Sequence, residues 1–457
     1  MADHEHRHLE GPDEEIPLIT GDTPISQKSN IAGSRSRSRR LIDLHLLSFS
    51  FLLVFLAYSA TQNLESSVNA DGNLGSVSLG ILYLSLTICS IGAPLPVRWL
   101  GPKRGILLGL SGYWLFILAN LFPSWFTMIP ASLYLGFTAS LLWVAEGTYI
   151  TSAAKSYALE IKVAEEDSIG NFNGVFWSYF ASNQIIGNLL SLIILQSGKV
   201  DSSSYAESSV TTWPLLLTFL GCMLGGTIVA WFLSSQEDIA EQTKSNGSEF
   251  MFSTFSMLTE KKILLLLPLL VYSGLQQAFI WGDFTENIVT PVLGVSLIGG
   301  VMAAYGAADA GGSLLAGRLS SGLASMSNII YFGGISQLIV LVWIFLMKSY
   351  GSIMSGYLNI FGQAIIWGFG DASFNTQISS LLGTLFPGQT EGAFAQWKIW
   401  QSAATSLIFF ITSSTTLSAR IVLLLFMLPI SLLAFSALRF MIIRKELIQN
   451  ESVTCQS

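Results

Sequence analysis

Charged residues are scarce in this chain. Asp, Glu, Lys and Arg make up only 11% of its 457 residues, whereas 51% are hydrophobic and the mean hydropathy is +0.57. Because a soluble domain carries about 25% charged residues, this composition excludes a soluble globular protein and indicates a polytopic membrane protein. The net charge of −7 says little about partners, since several acidic residues fall in the polar N-terminal and central segments.

The sequence also lacks the residues and motifs of catalysis. Its three cysteines, Cys89, Cys222 and Cys455, are too scattered to form a disulfide framework or a metal site. There is no nucleophile elbow, phosphate loop or metal-ligand spacing, and His45 is the one histidine beside an apolar run. The sequence therefore predicts no enzyme, no cofactor, no metal and no nucleic-acid partner. The lipid bilayer is the first partner that it predicts.

Long apolar runs predict about twelve transmembrane helices, because a membrane-spanning helix needs about 20 residues. They fall at 41–63, 75–95, 104–122, 126–148, 169–195, 211–233, 261–282, 291–316, 326–347, 353–373, 391–415 and 419–441. The polar segment before them, poor in large apolar residues, is expected to be disordered. The predicted parts are a cytosolic tail (1–40), a six-helix bundle (41–233), a cytosolic loop (234–260), a second six-helix bundle (261–441) and a cytosolic C-terminal tail (442–457).

The distribution of Lys and Arg predicts the orientation in the membrane. With the N-terminus inside, the outer loops hold only Lys199, Lys348 and Arg420. The inner side carries the basic residues of the tail and Arg98, Lys103, Arg104, Lys155, Lys162, Lys244, Lys261, Lys262, Arg318, Arg439, Arg444 and Lys445. Because basic residues accumulate in cytosolic loops, both termini are predicted to be cytosolic.

A polar motif occurs twice. Tyr58-Ser-Ala-Thr-Gln62 ends the first apolar run, and Tyr272-Ser-Gly-Leu-Gln276 ends the seventh. On a helix, Tyr and Gln at this spacing share one face, and two such faces in corresponding halves of a membrane protein are expected to border a cavity. The predicted cavity residues are Tyr58, Gln62, Asn63, Glu65, Tyr272, Gln276 and Gln277, with Asn183, Gln184 and Asn188 on the fifth span. Their amides could bind a neutral polar solute or only tie helices together.

The repeat extends to the fourth and tenth spans. The fourth ends Leu142-Trp143-Val-Ala-Glu146-Gly147, and the tenth ends Ile366-Trp367-Gly-Phe-Gly370-Asp371. Two parallel six-helix repeats with a cavity between them are typical of the major facilitator superfamily. The predicted fold class is therefore an all-α polytopic membrane protein with the major facilitator fold.

Four charged residues within the spans are candidates for an intramembrane ion pair or gate, because buried charge in a membrane is costly. Glu146 and Asp371 are expected near the inner ends of their spans, and Asp309 and Lys398 deeper, at similar depth. An ion pair between Asp309 and Lys398 is predicted, either as a structural lock or as part of transport. A proton-coupled symporter is expected to carry a carboxylate near the membrane midplane, and the predicted spans place none there.

The N-terminal tail contains a candidate sorting signal. Glu14-Glu15-Ile16-Pro17-Leu18-Ile19 fits an acidic dileucine pattern, in which Glu14, Leu18 and Ile19 would bind a clathrin adaptor complex. This predicts a vacuolar or endosomal membrane. If the segment is only an acidic stretch with two aliphatic residues, the plasma membrane is the default.

Two motifs carry a resemblance to a known family. Tyr58-Ser-Ala-Thr-Gln62-Asn63-Leu-Glu65-Ser-Ser and Leu141-Leu-Trp143-Val-Ala-Glu146-Gly147-Thr-Tyr149 resemble the uncoordinated-93 family, the ion-channel-regulatory branch of the major facilitator superfamily, and the tail and length resemble its plant members. The resemblance implies a non-enzymatic multi-pass protein associated with potassium channels or with trafficking of other membrane proteins. In plants it implies a role in potassium homeostasis and in abscisic acid and drought responses. The alternative is a secondary transporter of an ion or small polar solute.

The chain departs from the common facilitator pattern in one loop. The segment Arg98-Trp-Leu-Gly101-Pro-Lys103-Arg104 contains no carboxylate, so the acidic-basic pair usual after the second span is missing. The resemblance also assigns no substrate-binding residues.

Overall fold

Thirteen α-helices make up nearly all of the described chain in the computed structural model, which covers residues 24–68, 74–197, 208–235, 257–294, 297–350, 356–412 and 414–454. The helices are α1 (Pro24–Val68), α2 (Leu74–Ser90), α3 (Pro94–Leu100), α4 (Pro102–Asn120), α5 (Trp125–Ile161), α6 (Glu165–Ser197), α7 (Ser208–Trp231), α8 (Lys261–Leu293), α9 (Ile298–Leu319), α10 (Gly322–Tyr350), α11 (Tyr357–Leu385), α12 (Thr390–Ile411) and α13 (Leu417–Thr454).

Five of these helices, within the described ranges, are long and apolar enough to cross a membrane by themselves: parts or all of α1, α5, α8, α10 and α13. The pair α2 and α3, bent by 69° at the turn between them, makes a sixth. Polar residues are buried in several of the other helices, notably α6, α9, α11 and α12. Each of the twelve predicted spans falls on one of the helices or on the bent pair.

The helix boundaries correct the predicted tail. Residues 24–40, assigned to a disordered segment, form the first turns of α1. Adding a turn to an existing helix is easier than starting one, because each added residue gains one hydrogen bond without a new nucleation cost. Residues 1–23, with the predicted sorting signal, lie outside the described residues, as do residues 236–256 of the predicted central loop.

The helices form two halves, α1–α7 and α8–α13, whose most extensive contacts are two antiparallel helix pairs. In the first pair, α6 and α9 approach so closely that a Cβ atom at Gly174 would lie 2.6 Å from the Cα atom of Gly317. In the second, the hydroxyl oxygens of Thr87 on α2 and Ser402 on α12 are 2.9 Å apart. Small residues permit this close helix packing in membranes.

The two ends of the bundle differ in charge. We call the end where α1 enters the proximal end and the opposite one the distal end. At the proximal end, Arg39 lies 3.4 Å from the carboxylate of Asp43 and donates to the Ser234 hydroxyl after α7. Among the described side chains, the chain turns at this end carry most of the Lys and Arg residues, as the sequence predicts.

Candidate functional site: a central cavity between the halves

A cavity of about 60 Å³ lies between the two halves. The first half contributes mostly aromatic residues and the second half mostly polar ones. It is lined by Phe55, Tyr58, Ser59, Gln62, Leu82, Tyr83, Leu86, Tyr113, Ala139, Trp143, Trp177, Phe180, Gln277, Trp281, Lys398, Gln401, Ser402 and Thr405. One water molecule needs about 10–15 Å³ of cavity volume. A cavity of about 60 Å³ therefore has room for only a few water-sized groups.

The aromatic wall is a continuous set of ring contacts around Phe55. Its ring centroid lies 4.8 Å from that of Tyr113, 5.2 Å from that of Trp143 and 5.0 Å from that of Phe180. Such tilted and edge-on pairs stabilise each other beyond the area that they bury. These ring contacts hold four helices together at the cavity. The side of the cavity that the first half forms is therefore a fixed aromatic surface.

Lys398 is the charged member of this lining. Its Nζ atom lies 4.2 Å from the ring centroid of Trp143 and 4.1 Å from that of Trp397. It also donates to Oε1 of Gln401 over 2.9 Å. Cation–π contacts of a desolvated ammonium group are favourable, so the two indole rings and one amide replace part of the water that this buried charge has lost.

Glu146 lies within the electrostatic range of Lys398 without forming a direct ion pair with it. Its side chain is 1% exposed, and its Oε1 atom has no hydrogen-bond partner among the residues that the structure describes. The next residue, Gly147, contacts the ring of Phe394 on α12, since any Cβ atom there would collide with that ring. Gly147 therefore has to be a glycine, because it lets α5, which carries Glu146, pack closely against α12, which carries Lys398.

The second half contains a separate buried hydrogen-bond network centred on Asp371. Its Oδ1 atom accepts from Gln276 over 2.7 Å and from Asn375 over 2.9 Å, and its Oδ2 atom accepts from the Tyr305 hydroxyl. Gln276 in turn accepts from Trp367 and from Gln337, both over 3.1 Å. Buried polar groups satisfied in this way hold their helices in a fixed arrangement.

Two predictions about the buried charges are corrected by these contacts. The ion pair between Asp309 and Lys398 is not formed: Asp309 accepts from Ser313 and faces Asp371 on α11, whereas Lys398 faces α5. Asp371 lies at the midpoint of the 29-residue α11, not near the end of a span, and α5 continues past Glu146 to Ile161. The buried hydroxyl and amide residues that follow Asp371 lower the hydropathy without ending the helix.

A buried ion pair that the sequence did not predict ties α8 to α13 at the distal end. Arg420 Nη2 lies 2.7 Å from Asp283 Oδ1, and its Nε atom donates to Oδ2 over 2.8 Å. Its Nη1 atom donates to the carbonyl oxygens of Thr412 and Thr415. Asp283 ends the first of two π-helical turns in α8, Phe279–Asp283 and Thr285–Val289. Such turns are often found at functional sites.

The structure brings together only part of the predicted cavity set. Tyr58, Gln62 and Gln277 line the cavity. Tyr272 and Gln276 do not; Tyr272 donates to Gln337 over 2.6 Å within the second half. On α6, three amides bond backbone or each other within the helix: Asn183, Gln184 and Asn188. The side chains of two residues lie outside the described part of the chain: Asn63 and Glu65.

The sequence reasoning missed the aromatic wall and the polar residues of α12. Trp143 was part of the repeat but was not assigned to the cavity, and Gln401 and Ser402 follow Lys398 by one helical turn. A helical projection through Lys398 would have found both, since neighbours at i+3 and i+4 share its face. No cluster of three or more His, Cys, Asp or Glu side chains that could hold a metal ion occurs among the described residues.

Two halves around a central cavity, with six helices each when the bent pair α2 and α3 is counted as one, have the fold of the major facilitator class. Solved structures bear this out. The fucose:proton symporter FucP of E. coli superimposes with a TM-score of 0.65 over 88% of this chain and 99% of its own, at 14% sequence identity. The proton:xylose symporter XylE gives a TM-score of 0.66 over 87% and 94%, at 10% identity. At such identities the likeness establishes the fold alone.

Sequence comparison then gives the family. A family model described as "Ion channel regulatory protein UNC-93" matches residues 67–436. UNC93-like protein 3 of Arabidopsis thaliana is 45% identical over 423 residues, covering 91% of this chain and 88% of that protein. The chain therefore belongs to the UNC-93 family of ion channel regulatory proteins, as the two motifs predicted. A Caenorhabditis elegans relative, unc-93, is 30% identical over 89% of this chain and 62% of its own length, and is named as a potassium channel regulatory protein.

Proposed function

We propose that this integral membrane protein regulates a potassium channel through direct contact within the bilayer, without enzymatic activity. The observation that carries the proposal is the family match, which runs from residue 67 to residue 436 and so includes nearly every helix. The name of the Caenorhabditis elegans relative supports potassium as the ion. In a plant, we expect loss of the protein to alter potassium homeostasis and the responses to abscisic acid and drought.

Co-expression with individual potassium channels in oocytes tests this proposal. We expect the potassium current of at least one channel to change when the protein is present, and the protein alone to carry no current. An unrelated major facilitator protein at equal surface abundance is the control. The proposal fails if no channel current changes although the protein reaches the same membrane, or if the control changes the current equally.

We further propose that the proximal end faces the cytosol, which places both termini inside, and that the N-terminal tail binds an adaptor complex. The excess of Lys and Arg at the proximal end supports this orientation. Replacing Leu18 and Ile19 by Ala should move the protein from a vacuolar or endosomal membrane to the cell surface. Unchanged localisation of this variant would remove the adaptor and make the plasma membrane the working location.

A secondary transporter is the second candidate, and the cavity between the two halves favours it. Reconstituted protein would then carry an ion or small solute into liposomes. Gln62→Ala and Gln277→Ala should each reduce that flux, because both residues line the cavity. Gln62→Ala combined with Gln277→Ala serves as the inactive control. Failure of folded wild-type protein to move potassium, rubidium or protons would remove transport of these cations and favour channel regulation.

A further inference from the structure

The central cavity has an unbalanced arrangement of charge. Among the residues that line it, Lys398 alone is charged, and its ammonium group is covered by two indole rings and one amide oxygen. Glu146 does not line the cavity; it lies one helical turn beyond Trp143. The ammonium group of Lys398 can therefore interact with a solute in the cavity or with Glu146 behind it.

The charge of the lining determines which solutes fit. A second cation would lie close to the ammonium group of Lys398 in a low-dielectric site, where like charges repel strongly. Of the aromatic rings on the lining, Trp143 is already in contact with Lys398. The other rings carry no net charge, so they do not cancel the repulsion between two cations. An anion is instead attracted by the ammonium group, and charge-assisted hydrogen bonds are stronger than neutral ones.

Neutral hydrogen-bond donors surround the same space. Gln62 donates to the hydroxyl oxygen of Tyr83 over 3.1 Å, and both residues line the cavity. Gln401 accepts from Lys398 through its oxygen, so its amide nitrogen can also donate, as can that of Gln277. With about 60 Å³ available, the cavity has room for roughly four water-sized groups. Chloride, nitrate and acetate are of this size.

Glu146 links this site to protons. The charged group that acts on its buried carboxyl is Lys398, and no hydrogen bond to its Oε1 atom is present in the described part of the chain. The other titratable groups on the lining are Tyr58, Tyr83 and Tyr113. An anion held by Lys398 offsets the positive charge that, among the described residues, compensates an ionised Glu146. Since an uncompensated buried carboxylate is very costly, the group then takes a proton from water and becomes a neutral acid.

We propose that the central cavity binds a small monovalent anion against the ammonium group of Lys398, and that anion binding is accompanied by uptake of one proton on Glu146. Each bound anion is thus balanced by one proton from solution, and the net charge of the site does not change. Binding is independent of whether the protein carries the anion across the membrane, and it would give a channel regulator a sensor of anions and protons.

Titration calorimetry on the full-length protein in nanodiscs tests this inference. Sodium chloride, nitrate and acetate are titrated separately in a sodium gluconate background, because gluconate is too large for the cavity. We expect saturable heat from at least one of the three anions, and the pattern among them identifies the anion. Titrations in Tris and in bis-tris, which release different heats on ionisation, count the protons taken up, and the expected count approaches one per anion.

Three variants separate the contributions. Lys398→Gln should weaken anion binding about tenfold or more, since a hydrogen bond to a charged group is worth about 1.5–3 kcal/mol. Lys262→Gln removes an equal charge at the proximal end, where Lys262 donates to the carbonyl oxygen of Leu385, and should bind as the wild type does. Glu146→Gln should keep anion binding and lose proton uptake.

Several results would overturn the proposal. One is that none of the three anions gives heat with wild-type protein that is monodisperse on size exclusion. Another is that Lys398→Gln binds the anion as tightly as the wild type does. A third is that the wild type binds an anion without taking up a proton. Heat on exchanging sodium gluconate for potassium gluconate, with none from the anions, would make this a cation site. If Lys398→Gln fails to fold, the proton count of the wild type and its loss in Glu146→Gln still decide the question.

Discussion

Individual buried charges are compensated in three different ways in this protein. Asp283 is paired with Arg420 through two contacts, Asp371 accepts from three neutral donors, and Glu146 relies on a lysine that it does not touch. The first two arrangements satisfy the carboxylate and fix helices relative to each other. The third leaves the Oε1 atom of Glu146 without a hydrogen-bond partner among the described residues, and such an unsatisfied buried atom is a candidate for a functional role.

Arg420→Ala should strongly destabilise the second half. The substitution leaves Asp283, which is 4% exposed, without its partner, and loss of one member of a buried ion pair costs about 3–5 kcal/mol. The expected result is a large fall in the temperature at which half of the purified protein aggregates. The aggregation temperature of the double variant Asp283→Ala/Arg420→Ala should fall by less than the sum of the falls in the two single variants. If Arg420→Ala aggregates at the same temperature as the wild type, the ion pair has no structural role.

Gln276→Leu should destabilise the protein more than Gln277→Leu, although the two residues are neighbours. Gln276 contacts Asp371, Gln337 and Trp367, and each buried polar group left without a partner costs about 1–3 kcal/mol. Gln277 instead lines the cavity. The same aggregation measurement ranks the two variants. Equal stability of both would mean that the network around Asp371 contributes nothing to folding.

The sequence predicted the positions of the helices far better than their ends. An apolar run of the right length is a local property, and each predicted span falls on a helix. The ends of α5 and α11 were missed because buried polar residues such as Thr148, Asn375 and Gln377 lower the hydropathy where the helix continues. Their burial is decided by the neighbouring helices, and a local average cannot register it.

The contact between α6 and α9 gives a prediction for a pair of glycines on one helix. Gly317→Leu should separate α6 from α9, because a Cβ atom at Gly317 would meet the backbone of Gly174, and overpacking a tight contact costs about 1–3 kcal/mol or more. Gly311→Leu is the matched control, since nothing lies within 4 Å of its Cβ position. Yield of monodisperse protein measures the effect. Similar yields of both variants would contradict the close approach.

For the molecule as a whole, the site was harder to predict than the fold. The repeated motif located Tyr58 and Gln62 at the cavity, because both face it from one helix. It misplaced Tyr272 and Gln276, which bond within their own half. The contact between Trp143 and Lys398 joins the two halves of the chain. No local pattern carries information about such a distant pair.

A disulfide between the halves separates the two candidate functions. The hydroxyl oxygens of Thr87 and Ser402 are 2.9 Å apart, so Thr87→Cys/Ser402→Cys should oxidise to a disulfide. In a background with Cys89, Cys222 and Cys455 replaced, cleavage at a protease site engineered between α7 and α8 should leave the halves joined until reductant is added. In the single variant Thr87→Cys, the two halves should separate after cleavage even without reductant.

Functional assays on the cross-linked protein then give opposite expectations. Transport by alternating access requires the halves to rock against each other, so the disulfide should abolish any flux and reductant should restore it. Channel regulation by helix contacts in the bilayer should persist. Flux that continues in fully cross-linked protein would show that this interface does not open during transport.

The length of α1 has a mechanical consequence. Its 45 residues form one helix about 68 Å long, more than twice the roughly 30 Å hydrocarbon thickness of a bilayer. Tyr58, at the cavity, and Pro24, at the start of the helix, therefore belong to a single rod. A protein that binds the N-terminal turns of α1 is connected to the cavity by one unbroken helix. Tilting α1 by a few degrees therefore displaces Phe55 and Tyr58, its two aromatic residues at the cavity.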